Sequence, residues 1–157
     1  MRRHAIPITI TVLTLAIVLA PGSGYGQATR GVSGAGKASL PAGPSLGGVS
    51  LTGMLFAMGV YIPGDGTAAG SLQVTLPGTT VLGQAQTIEV TGTATAGTIN
   101  LDGTRTFSGT ATEDLGDGTA PLTVPFAVIA GATGLTLTVG TTTLPGATLP
   151  AGAIQLQ

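Results

Sequence analysis

From Met54 onward the chain is written in a period of two. Met54, Phe56, Met58, Val60 and Ile62 share one parity, and Leu55, Ala57, Gly59 and Tyr61 share the other. Successive side chains of a strand point to opposite faces, so this stretch reads as a strand covered on both sides. Pro63-Gly64-Asp65-Gly66 then supplies a turn, because glycine and aspartate adopt turn dihedrals and close local hydrogen bonds. The alternation resumes with Leu72, Val74 and Leu76 set against Gln73 and Thr75, and Pro77-Gly78 is expected to end that strand. Next, from Thr87 to Thr95, Ile88, Val90 and Ala94 oppose Glu89, Thr91, Thr93 and Thr95.

A break at Ala96-Gly97 is followed by a short strand, Thr98 to Leu101, and by Asp102-Gly103, a strong hairpin signal. The return strand, Arg105 to Thr112, places Phe107, Gly109 and Ala111 on one face. Leu122, Val124, Phe126 and Val128 form another inward row, in which Pro125 lacks the ladder donor and so marks an edge or a bulge. Leu135, Leu137 and Val139 alternate with Thr136 and Thr138; Leu144-Pro145-Gly146 turns, and Ile154 and Leu156 form a last strand. No segment has a helical period or the length of a crossover helix. The expected fold is therefore all-β, a single antiparallel β-sandwich or small β-barrel. Its register predicts burial of Leu72, Val74, Leu76, Leu122, Val124, Phe126 and Val128, with Gln73, Thr75 and Thr123 exposed.

The 157 residues leave room for one domain. Arg2, Arg3 and His4 precede an apolar run from Ile8 to Ala20, and small residues occupy Gly26 and Ala28. This is the pattern of a signal peptide over residues 1–28, cleaved after Ala28, or after Gly26 as the alternative. Residues 29–48, rich in glycine and proline, are expected as a flexible linker, and residues 49–157 as the all-β domain. The expected location is outside the cytoplasm: secreted, periplasmic or cell-surface, with no membrane span in the mature chain. The absence of cysteine leaves burial and strand pairing to hold the domain.

Charged residues make up only 7% of the chain, and beyond the leader Arg30, Lys37 and Arg105 face six acids. So few bases exclude nucleic acid as a partner, since its affinity rests on neutralised phosphates. Gly31-Val32-Ser33-Gly34-Ala35-Gly36-Lys37-Ala38 resembles a phosphate-binding loop but has Ala38 where a hydroxyl should meet magnesium. Leu76-Pro77-Gly78-Thr79-Thr80 resembles a sortase sorting motif without its final glycine, and reads as a strand end. Glu113, Asp114 and Asp117 in the loop 113–118 offer oxygen ligands of the kind calcium takes, without the ligand spacing of an EF-hand, and read as a solvated turn. With His4 in the leader, the mature chain has no imidazole and no Ser-His-Asp arrangement. No catalytic, cofactor-binding or metal-binding residue is assigned.

The same-face rows Thr91, Thr93, Thr95 and Thr136, Thr138 are the one positive surface feature. Hydroxyl ladders suit an ordered polar surface such as polysaccharide or ice, and threonine is equally an ordinary solvent-facing strand residue. The segments Phe56, Gly59 and Tyr61; Asp65-Gly66-Thr67-Ala68 with Gly70; Val90-Thr91-Gly92-Thr93-Ala94; and Asp102-Gly103-Thr104 resemble small secreted bacterial β-proteins of unassigned function. The resemblance covers about two thirds of the chain and implies no activity or site.

Three functions follow in order of expectation. The first is an exported, non-catalytic structural or interaction module, engaging a partner by a sheet edge or a surface. The second is a barrel carrier of a small apolar ligand, and the third a carboxylate-based hydrolase.

Overall fold

The computed structural model describes residues 30–41 and 43–157; the leader expected over residues 1–28 lies outside them. The described chain is all-β. Its strands are β1 (Gly31–Ala38), β2 (Ser45–Leu46), β3 (Val49–Leu51), β4 (Met54–Tyr61), β5 (Thr67–Thr80) and β6 (Ala85–Ile99). They continue with β7 (Arg105–Asp114), β8 (Leu122–Ala130), β9 (Gly134–Val139), β10 (Thr142–Thr143), β11 (Ala147–Thr148) and β12 (Ile154–Leu156).

All pair antiparallel in one sheet whose main path is β10-β9-β8-β7-β6-β5-β4-β1-β12, with β3 beside β5, β2 beside β3 and β11 beside β9, and the sheet curls into a half-barrel. Its margins meet at one point. Thr148 of β11 pairs with Gly134 on β9 and bridges to Ser39, just past β1.

The concave face holds the core. Val32, Met54, Phe56, Met58, Val60, Ile62, Leu72, Val74, Leu76, Ile88, Val90, Phe107, Phe126, Val128, Leu135, Leu137 and Val139 are all buried there. Phe107 and Phe126 meet edge to face with ring centroids 6.2 Å apart, a favoured aromatic geometry. The Phe126 ring also lies over Gly92, so close that a Cβ at that glycine would come within 2.7 Å of Phe126 Cε1. Small aliphatic side chains and two rings thus meet across the middle of the curl.

The expected register holds for Leu72, Val74, Leu76, Phe126 and Val128. Val124 is only partly buried, and Leu122 is 56% exposed, contrary to expectation. Leu122 opens β8 where that strand has only β7 beside it, and β9 pairs no further than Phe126. Pro125 lies on this one-sided stretch: its carbonyl accepts from Gly140 N, so its missing donor faces the same side, beyond the last β9 pair.

Three boundaries differ from the sequence reading. Residues 29–48 are not a linker throughout, since β1 pairs along its length with β4 and along its first half with β12. Glycine there serves close approach rather than flexibility: a Cβ on Gly31 would strike the Val60 carbonyl, and one on Gly34 the Ala153 carbonyl. Second, β5 runs through Pro77 to Thr80. The Pro77 carbonyl accepts from Thr52 N, so the proline nitrogen also faces the interruption between β3 and β4. Third, Thr87–Thr95 and Thr98–Leu101 are not two strands. They are joined in the continuous β6, which ends at Ile99 so that Asn100 and Leu101 belong to the turn, with Ala96 and Gly97 paired to Ser108 and Phe107 across a register shift between Ala94 and Ala96.

Candidate functional site

The convex face follows from the register. One row crosses the sheet from β8 to β1 as Thr123, Thr112, Thr91, Gln73, Ala57, Ala35. The next is Pro125, Thr110, Thr93, Ser71, Gly59, Ser33. These positions are exposed, Ser33 partly so, and none is charged. Neighbouring strands stand about 4.8 Å apart and alternate residues along one strand roughly 6.6 Å apart, so the threonines form a regular hydroxyl grid. β-branched threonine fits the outer face of a strand without packing.

Charge begins only at the border: the adjoining row reads Asp114, Glu89, Thr75, Leu55, Lys37. Glu89 and Asp114 are direct cross-strand partners, a like-charge pairing that opposes the strand association it sits on.

Thr91, Thr93 and Thr95 were legible as a row. Thr110 and Thr112, which complete the grid on β7, were not, although the spacing Thr110-Ala111-Thr112 carries the signal. Thr136 and Thr138 lie on the same face further along, on β9: Thr138 joins the adjoining row through Ala127 and Ser108, and its Oγ1 shares a 3.0 Å hydrogen bond with Thr143 Oγ1.

The acidic loop is organised differently from a cation site. Asp114 Oδ1 accepts from Gly116 N at 2.9 Å, and Asp117 Oδ1 accepts from Thr119 N at 2.9 Å and from its hydroxyl at 2.6 Å. Asp114 and Asp117 each close their own turn. Among the described residues no three His, Cys, Asp or Glu side chains are grouped to hold a metal ion.

The Asp117-Gly118-Thr119 geometry occurs three times among the described residues. Asp65 accepts from Thr67 N and Oγ1 at 2.9 and 2.6 Å, and Asp102 from Thr104 N and Oγ1 at 2.9 and 2.7 Å. The intervening Gly66, Gly103 and Gly118 have φ of +92°, +85° and +85°, a region that side chains avoid. At Asp102-Gly103 only the glycine takes positive φ; the aspartate contributes its carboxylate.

These contacts have a pH signature. Donation from the Thr67, Thr104 and Thr119 hydroxyls, then from their amides, holds Asp65, Asp102 and Asp117 below the usual carboxylate range. Glu113 is shifted the other way, raised by burial. A depressed folded value contributes stability that is complete above the unfolded pKa and lost as pH falls through the folded one. A raised one favours the protonated fold, and that contribution fades as pH climbs from the unfolded value through the folded one.

Replacing the three aspartates by asparagine is therefore expected to flatten the fall in melting temperature below about pH 4. Glu113→Gln is expected to raise the melting temperature at pH 7 and to change it little below the ordinary carboxylate range. Thermal melts from pH 2 to about 7 check both; parallel curves for wild type and variants would refute the assignment.

No family model, curated protein or solved structure matches this chain.

Proposed function

We propose that the chain is an exported, non-catalytic interaction module that adheres through the convex face of β5–β8 to a neutral, hydroxyl-rich polymer. The observation that carries this reading is the uncharged hydroxyl grid of Ser71, Thr91, Thr93, Thr110, Thr112 and Thr123, with charge confined to its border. A charged partner would lose hydration against such a face and gain no counter-charge. A polysaccharide exchanges its water hydrogen bonds for threonine hydroxyls at little cost. The face is convex and twisted, as antiparallel sheets are, so a flexible polymer can follow it where the rigid plane of ice cannot. The packed concave face supports a surface module over a carrier of apolar ligands.

The test is depletion of the purified protein by microcrystalline cellulose, chitin and insoluble β-1,3-glucan. The double variant Thr93→Lys with Thr110→Lys should bind at least about tenfold more weakly than wild type, because it buries two unpaired charges. A control, Gln84→Lys in the exposed turn between β5 and β6 beyond the charged border, should bind as wild type does. Absence of binding to all three polymers, or equal binding by the double variant, overturns the reading.

A further inference from the structure

Tyr61 is the one aromatic ring among the described residues that is left at the surface, 44% exposed, while Phe56, Phe107 and Phe126 are buried. It stands on the convex face at the end of β4, beside the uncharged grid. Its cross-strand partners are Gly31 on β1 and Ala69 on β5. Two residues before it on the same face is Gly59, over which a Cβ would meet nothing within 4 Å. The ring therefore has no large side chain leaning on it from either strand.

The space beside it is a shallow concavity of about 190 Å³, lined by Arg30, Gly31, Ser33, Gly59, Tyr61 and Gln157, with Val32 and Val60 below. Glycines make its floor, an aromatic ring one wall, and Ser33 and Gln157 its rim. The Arg30 guanidinium lies away from the ring, toward Gly64: Arg30 stands opposite the inward-facing Ile62, whose amide donates to its carbonyl at 3.0 Å.

We infer that this concavity is a sugar subsite, in which Tyr61 stacks on the apolar face of one pyranose unit of a neutral polysaccharide. A pyranose has C–H groups on its faces and hydroxyls on its edge. Those two requirements are met by a bare ring that offers a flat apolar surface and by the uncharged donors and acceptors of Ser33 and Gln157 at the rim. The glycine floor leaves height for the sugar. From this subsite the row Gly59, Ser71, Thr93, Thr110 leads straight across the sheet, so a chain held at Tyr61 passes onto the hydroxyl grid. The inference rests on the proposed adhesive face and adds its anchoring point and the chemical class of the anchored unit.

The test is an amide-resolved NMR titration of the purified protein with cellohexaose, chitohexaose and laminarihexaose. Shifts are expected at Gly31, Ser33, Gly59 and Tyr61 with at least one of the three. Tyr61→Ala should weaken that binding about tenfold, the loss of a stacked contact of roughly 1.4 kcal/mol, while Tyr61→Phe should retain it, since the ring and not its hydroxyl does the stacking. The same spectra report whether each variant is folded. Shifts confined to Thr91, Thr93, Thr110 and Thr112, unchanged by Tyr61→Ala, would overturn the subsite and leave the adhesive face standing. No shift with any hexamer, together with no depletion by the insoluble polymers, would overturn both.

Discussion

Phe126→Ala is expected to lower the free energy of unfolding by about 3–5 kcal/mol. Phe126 is 3% exposed, meets Phe107 edge to face, and covers Gly92 on β6. Few side chains in this core are large; most of the fully buried ones are leucine, isoleucine and valine. Removing the ring therefore loses apolar burial and also leaves a void that short aliphatic neighbours cannot reach across. Against a total of about 5–15 kcal/mol for a domain of ordinary stability, the loss is large. Denaturant titration measures it from the shift in midpoint at constant slope. A loss below about 1 kcal/mol would mean the ring is not enclosed as described.

Gly109→Ala should destabilise by about 1–3 kcal/mol or more, although it adds a single methyl. Gly109 faces Ala94 where the β6–β7 register shifts, and its Cβ would run into the Thr93 carbonyl oxygen. That obstacle is backbone, which cannot swing aside as a side chain can. The strands must separate locally, and Thr93 and Thr110 move with them, so under the proposed function weaker adhesion should accompany the lower midpoint. Gly59→Ala is the matched control: on the convex face of β4 its methyl meets nothing, and its effect on stability should stay within about 0.5 kcal/mol. Equal melting of the two variants would refute the close approach at Gly109.

Much of the fold was legible because the chain alternates so strictly. Each of Leu72, Val74, Leu76, Ile88, Val90, Phe126 and Val128 is buried as its parity predicts. Parity is local information, however, and the features that were missed depend on distant partners. Nothing in Gly31–Ala38 itself shows that β4 and β12 lie within reach; glycine composition looks the same in a mobile linker and in a strand whose neighbours press on its backbone. Leu122 keeps the right parity but lacks a strand on one side, so its row ends in solvent.

The hydroxyl grid was half legible for a similar reason. Counting back from the Asp102-Gly103 hairpin, where Ile99 pairs with Arg105, an unbroken ladder would set Thr93 opposite Ala111. The register shift between Ala94 and Ala96 sets it opposite Thr110 instead, and so aligns the threonines of the two strands. A bulge in a run of threonine, alanine and glycine leaves no distinct trace in sequence. Tyr61 was visible as a residue, but its exposure beside a glycine floor depends on the pairing of β4 with β1.

The proposed adhesive face is most directly tested by the salt dependence of its binding. Adsorption isotherms of the purified protein on whichever insoluble polymer retains it should be measured at about 0.05 M and about 1 M sodium chloride, where the screening length falls from over 10 Å to about 3 Å. An interface made of threonine and serine hydroxyls, with no charged side chain inside it, should show affinities that agree within about twofold. A fall of tenfold or more at high salt would place the contact on Arg30, Lys37, Arg105 or the acidic border, and would contradict the account.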